Sequence, residues 1–475
     1  MKLTIIFIFI VISACESDNH DKHKSSLTEG NIIDSGKYEF AKTDDKTSIL
    51  HPERIKKLGL DITWSVRLQN KRKIRKFHLL NESVIIETED NQIHSLNREN
   101  GQYKWMIQIN EKLDFAPYMY LAEDGKKMLF LIARNHLYCI DTTVTYAGRE
   151  IGRILWVRNL DHTASTAPHA NDFDVIIGSE NNFVMSYNYK RVGQVLNDTQ
   201  LDRPNHYTWH RSLPDRITSA PTSNRDPNNP VTMVGCHDGR IYGFNFSTGK
   251  TMWKFPSNTS VGGEFKADLL HHSDKAYAPN MNHTLYILDG SSGREDGKIT
   301  LQSPLSKTPW VLGDVKYKVI KDGSKVEITQ NDLDIFIQAD GDYINKDGHF
   351  YRIIIENIVV RKIIDPNTLS QLQLDPDEEN DTVDDARKRY FRRWVAKISW
   401  QLEGKYDLLF RTKNFVFLKK ENKIVKVNRI TGQIIYKHEL GETAITIYPD
   451  STSDYLKSRL FVATDRDIYA IGLKK

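Results

Sequence analysis

Cys139 and Cys236 sit in or beside alternating apolar stretches, where a thiol packs as a small hydrophobe. No cysteine has a partner at the two-residue spacing that a zinc site, a dithiol couple or a c-type haem requires. The 16 histidines could supply acid–base or metal chemistry. His271-His272 is an adjacent pair, so in a strand the two rings point to opposite faces. His162 and His169, and His206 and His210, flank loops without a cysteine or carboxylate at ligand spacing. His237-Asp238 is a turn pair, and His20 and His23 lie in a polar stretch. The acidic group Asp375, Asp377, Glu378, Glu379, Asp381, Asp384 and Asp385 lacks the central glycine and spacing of a helix–loop–helix calcium site. There is no Gly-x-Ser-x-Gly, phosphate loop or His-Glu-x-x-His. The expectation is a protein without catalytic residues, metal or cofactor.

The elements that would carry these residues follow from composition and pattern. The 475 residues are 39% hydrophobic, enough for a real core. Lys+Arg 66 against Asp+Glu 62 gives a net charge of +4. That balance argues against a dedicated nucleic-acid binder, which presents a basic face. The densest basic run, Lys71-Arg72-Lys73-Ile74-Arg75-Lys76, reads as a solvated strand edge, with an anionic membrane surface as the alternative.

The N-terminus reads as an address. Met1-Lys2 precedes the apolar run Leu3 to Ile12, too short to span a bilayer and of signal-peptide length. The run ends in Ile12-Ser13-Ala14-Cys15, which resembles a bacterial lipobox. The resemblance implies a Cys15 thiol joined to diacylglycerol and a protein hung from a membrane by acyl chains. Glu16 leans toward the outer membrane. The expected organisation is a signal peptide at 1–14, then lipidated Cys15 and a flexible tether to residue 58.

Residues 59–475 are a repeat. Val84 to Trp105, Val231 to Trp253 and Phe415 to Tyr436 each read as strand, polar turn, alternating strand, glycine turn and aromatic strand. The spacing recurs as Gly101-x-x-x-Trp105, Gly152-x-x-x-Trp156, Gly249-x-x-x-Trp253 and Gly432-x-x-x-Tyr436. Glycine supplies the positive φ of a tight turn, and the aromatic buries a flat surface against the neighbouring unit. Phe115-Ala116-Pro117, Thr166-Ala167-Pro168 and Ser219-Ala220-Pro221 are small lead-ins suited to a crowded innermost strand. Eight units are counted, and the last lacks its outer strand. Leu60 to Leu68, with Trp64, is the strand left over. The prediction is an all-β, eight-bladed β-propeller of four-stranded antiparallel blades, closed by the N-terminal strand joining the C-terminal blade. Trp64, Trp105, Trp156, Trp209, Trp253 and Trp400 are the expected blade-docking residues.

These turns, the lead-ins and the Asp238-Gly239-Arg240-Ile241-Tyr242 strand pair resemble pyrroloquinoline-quinone-like (PQQ-like) repeats over roughly residues 60 to 473. With lipobox, tether and eight blades, the chain is similar to the BamB family of the outer-membrane β-barrel assembly machinery. That resemblance implies an envelope-located, outer-membrane-anchored binding scaffold facing the periplasm or exterior. Its partners would be other envelope proteins, with one copy inside a larger complex. A quinone-dependent dehydrogenase is the alternative of another class. It calls for a vicinal cysteine pair and a calcium carboxylate set that are not recognisable here. A lumenal or surface sensor is the third reading, carried by Asn-x-Ser/Thr sites at Asn81, Asn197, Asn245, Asn258, Asn282 and Asn380.

Two segments exceed the repeat. Residues 303–333 are expected to hold an extra hairpin turning at Asp322-Gly323. Residues 370–393 open acidic and close basic, from Asp375 to Arg393, and read as a self-paired surface segment or a recognition loop.

Overall fold

The computed structural model describes residues 52–68, 72–122, 124–146, 149–189, 207–224, 230–320, 325–341, 346–362, 390–421, 423–439, 446–448, 459–464 and 467–473. Cys15, the signal segment and residues 370–389 lie outside them.

Eight four-stranded antiparallel sheets form the blades of a propeller. Blade 1 consists of Ile74–Leu80, Ser83–Thr88, Gln92–Asn97 and Tyr103–Gln108, from inside outward. Blades 2 to 7 follow at 118–159, 169–212, 222–255, 270–300, 310–403 and 407–439. Blade 8 takes Thr446–Tyr448, Arg459–Ala463 and Asp467–Leu473 from the C-terminus and Leu60–Arg67 from the N-terminus. Leu60 pairs with Leu473 and Trp64 with Ala470. The ring is therefore closed by hydrogen bonds between the two ends of the chain.

The blade pattern follows from which strands are covered. Second strands are packed by a blade on either side, so both faces are buried. Ser83–Thr88 and Asp334–Ala339 are buried along their whole lengths. Outer strands meet solvent and alternate, as Thr251–Phe255 does. The cores lie between blades. One joins Trp64, Phe461 and Ile468 of blade 8 to Phe77 and Val84 of blade 1. The Ala-Pro lead-ins stand immediately before the inner strands Tyr118–Leu121, His169–Ala170 and Thr222–Ser223.

Three boundaries differ from the sequence reading. The expected tether reached residue 58, but Pro52–Leu58 is a helix. Its Ile55 and Leu58 are buried against Leu409, Phe417 and Leu460, which holds it to the ring. In the 303–333 segment, Trp310–Leu312 is the inner strand of blade 6, and the extra hairpin is Val315–Ile320 with Lys325–Asn331. Its turn, Asp322-Gly323, lies outside the described residues. The 370–393 segment overlaps the strand Tyr390–Glu403, which pairs with His349–Lys362 from Glu403 out to Tyr390.

Antiparallel order sorts the connections onto two faces. In blades 1 to 7 the first-to-second and third-to-fourth connections emerge together. Both additions to the repeat use those positions in blade 6, so they share one face of one blade.

Candidate functional site

The blade seams come first, since they decide which residues remain available for binding. The six tryptophans named from sequence, Trp64, Trp105, Trp156, Trp209, Trp253 and Trp400, are all buried. Each indole lies at the blade that follows its own. A Cβ built on Gly101 would lie 2.6 Å from the Trp64 ring, and one on Gly249 would lie 2.4 Å from Trp209. Gly152 stands in the same way against Trp105 and Gly432 against Trp400, at 2.8 and 2.7 Å. The sequence spacing paired each glycine with the aromatic four residues later. The folded ring brings it against the tryptophan of the preceding blade. Gly101, Gly249 and Gly432 have φ of 72°, 63° and 74°. Gly152 does not adopt positive φ, so its expected turn role is corrected: it is glycine because Trp105 fills the space of a side chain.

A fifth glycine was missed. Gly293 has φ 69°, and its Cβ would lie 2.3 Å from Trp253. Its blade lacks the aromatic four residues on, so the spacing search passed over it. The better signal is an Asn or Asp four residues earlier: Asn97, Asn245, Asp289 and Asn428. The side-chain oxygen accepts from backbone amides within the turn, as Asn428 does from Ile430 and Thr431 at 3.0 Å each. The next carbonyl is then turned to the incoming indole. Trp64 Nε1 donates to Arg98 O at 3.0 Å, Trp209 to Phe246 O at 2.8 Å and Trp400 to Arg429 O at 2.8 Å.

Two seams carry buried charge that the sequence did not reveal. Between blades 6 and 7 the fully buried Asp334 accepts from Arg352 at 2.6 Å, from Arg429 at 2.6 Å and from Arg411. In blade 5, Lys275 lies 2.8 Å from Asp296 and from Asp274, and 3.5 Å from Asp289. Burial alone would lower its pKa, but these three carboxylates outweigh it and hold the ammonium above its ordinary value. Each cluster draws several like charges onto one opposite charge, which suits a clamp between strands and blades.

The residues that could do chemistry are dispersed. Cys139 lies in blade 2 and Cys236 beside a strand of blade 4, both buried and unpaired. Burial, the largest cause, pushes the Cys236 thiol up to about 12. His272 Nε2 meets Gly313 O at 2.7 Å, and His237 Nδ1 meets Asp215 at 2.9 Å. His20, His23 and His206 lie outside the described residues. Among the described residues, no three His, Cys, Asp or Glu side chains are grouped to hold a metal. Among the described residues the two buried thiols stand in different blades, so they do not form the vicinal cysteine pair often found against the quinone in PQQ-dependent dehydrogenases. Of the basic run, Arg72 pairs with Asp90 at 3.0 Å and Arg75 with Glu87 at 2.8 Å. No helix among the described residues is long and apolar enough to cross a membrane.

What remains is the blade 6 face. The extra hairpin lays Tyr317, Val326 and Ile328 on a cluster containing Ile353, Ile355, Ile358 and Trp394. The long strand pair is thus braced at its base. On either side of the Ile358–Trp394 pair it exposes Val359 and Val395, at 37% and 36%.

With the geometry in place, comparison with known proteins gives a consistent result. The family profile described as outer membrane protein assembly factor BamB matches residues 237–336, from the middle of blade 4 into blade 6. The structure of BamB from Moraxella catarrhalis aligns at TM-score 0.53 and 13% identity, over 87% of this chain and 98% of that one. This chain is a PQQ-like repeat β-propeller that resembles BamB. The fission-yeast SCAP WD40 domain aligns at TM-score 0.52 and 9% identity, over 88% of this chain and 98% of that domain. It shares the propeller alone. A zebrafish (Danio rerio) beta-alanine-activating enzyme is 25% identical over 156 residues, which is 31% of this chain. The match spans 14% of that enzyme's length.

Proposed function

We propose that this PQQ-like propeller is a non-enzymatic binding scaffold of the cell envelope. It is anchored by acyl chains on Cys15 and works with other envelope proteins, in the manner of an outer-membrane assembly factor. The blade 6 face is the observation that carries this reading. Ring closure uses the seam tryptophans, glycines and buried ion clusters. The braced hairpin lies outside the repeat, and the extended strand pair packs its Trp394 against blade 5 but runs on beyond that seam; both stand on one face, where Val359 and Val395 are partly exposed. A rigid projection with an apolar flank is a surface on which a partner can bury area. The BamB-type profile match supports the choice of an assembly partner. The lipobox-like Ile12-Ser13-Ala14-Cys15 supports the anchor.

The test is purification of the tagged full-length protein from detergent-solubilised native membranes after mild crosslinking. Enrichment of an outer-membrane barrel-assembly subunit over an untagged control supports the scaffold. Cys15→Ser is expected to move the protein to the soluble fraction and to abolish acyl labelling. Wild-type recovery in the soluble fraction, unacylated and without partner, would reject both anchor and scaffold. Titration with PQQ and calcium would then test the dehydrogenase alternative.

A further inference from the structure

A cavity of about 930 Å³ lies beside the outer strand of blade 3, Trp209–Ser212. Its walls include Asp161, His162, Phe183, Tyr207, His210 and Arg211. They come from three places: the link leaving blade 2, the third strand of blade 3, and that blade's outer edge. Rings dominate the wall. His162 stacks on Phe183 with centroids 5.1 Å apart and planes at 8°. His210 meets Phe183 edge-on at 5.8 Å and Tyr207 at 5.1 Å.

The polar groups are unequal. Arg211 donates to the carbonyls of His210 and Thr248, at 2.7 and 3.2 Å, so its guanidinium is engaged. Asp161 is engaged on one side only: the Tyr207 hydroxyl is hydrogen-bonded to its carboxylate, while Oδ2 is buried without a partner placed on it. A carboxylate oxygen out of water without a donor is costly to maintain and strongly favours an incoming cation. The Tyr207 hydroxyl is pushed up to about 12, first by burial, then by its hydrogen bond to Asp161 and the carboxylate's charge. The adjoining surface already holds one guanidinium: Arg158 stands 4.7 Å over the Tyr187 ring, and Tyr187 lies 5.3 Å from Tyr207.

We propose that this cavity binds an organic cation, a primary ammonium or guanidinium group, over the His162, Phe183, Tyr207 and His210 rings with Asp161 as counter-ion. Ring faces are electron-rich, and a carboxylate at their edge completes the complement to a cation. An anion would meet Asp161 repulsively. A neutral polyol would leave the carboxylate charge uncompensated. The cation has two sources, a free amine or a lysine or arginine side chain of a partner. The site lies on blade 3, away from the blade 6 additions, and stands or falls independently of the assembly role.

Calorimetry on the purified full-length protein tests this. The probes are arginine amide, spermidine and short Gly/Ala peptides with one Arg or Lys. Matched peptides carry citrulline or norleucine instead. Cationic probes are expected to bind, with neutral counterparts weaker by roughly tenfold or more. Asp161→Asn is expected to lose a similar factor with an unchanged unfolding curve. His210 is exposed, so His210→Ala provides a second variant that keeps the fold, and it is expected to weaken binding several-fold. Binding of the free amines assigns a small-molecule source, and binding confined to the peptides assigns a partner side chain. The proposal is overturned if no cationic probe binds at millimolar concentration, if neutral analogues bind equally, or if both variants bind as wild type does.

Discussion

Trp64 and Ala470, near the two ends of the described chain, are directly paired across blade 8. The Thr63 hydroxyl also donates to the Ala470 carbonyl at 2.9 Å, across 407 positions. Arg67 closes the far end of the same strand on Asp467 at 2.7 Å. A chain lacking residues 52–68 would leave Asp467–Leu473 as an open edge, which templates association. Oligomers or aggregates by size exclusion are the expected outcome. A synthetic peptide of residues 52–68 should restore a monomer-sized species.

The seam makes a second, sharper prediction. Trp64→Ala removes a buried indole and should cost about 3–5 kcal/mol of unfolding free energy. Gly101→Ala places a Cβ 2.6 Å from that indole at φ 72°, so it too destabilises. The two effects should not add. In the Trp64→Ala protein the steric part of the Gly101→Ala penalty vanishes, and denaturant unfolding of the double mutant reads the difference as a coupling energy.

Asp334 is the one carboxylate among Arg352, Arg411 and Arg429. Asp334→Asn would leave three guanidinium groups facing each other in the seam of blades 6 and 7. A loss of about 3–5 kcal/mol is expected, the usual cost of breaking a buried pair from one side. Urea unfolding checks it, and added salt should recover little because the site is buried.

Blade 1 should confer acid sensitivity. Burial, the largest cause in each case, lowers the pKa of His78 and of His94 from 6.5 to about 4. The folded state keeps both rings neutral, while the unfolded chain takes up protons below about pH 6.5. Their contribution is therefore fully present above pH 6.5 and is lost progressively as pH falls toward 4. The loss is about 3 kcal/mol per histidine at the low-pH limit. Unfolding free energies at pH 7.5 and 5 measure the slope. Replacing both residues with leucine should flatten it over that interval.

The blade 6 additions make a separable pair. A short turn in place of residues 363–389 should leave the melting temperature within a few degrees, since it spares the strands that pack. Cutting the hairpin from Lys316 to Gln330 should lower stability, because Val326 and Ile328 cover Ile353 and Ile355. If the blade 6 face binds an envelope partner, both variants should lose it in the crosslinking experiment, and only the second should also melt early.

The amino-acid sequence by itself determined the eight blades, the closing strand at Leu60–Arg67 and the extra hairpin. Each is written in local terms, as period-2 alternation, turn glycines and a leftover strand. Such signals survive in one dimension because hairpins join neighbours in the chain. The tertiary structure alone decided the partners across seams. Gly101 faces Trp64 rather than Trp105 because consecutive blades stack side by side. Asp334, Arg352, Arg411 and Arg429 share one site because blades 6 and 7 abut, and their spacing follows no period. Asp161 and His210 meet around one cavity for a related reason: the link leaving blade 2 and the outer edge of blade 3 converge only in the folded ring. Contacts of this kind depend on where whole blades lie, and a repeat pattern fixes the blade without naming what its edges will touch.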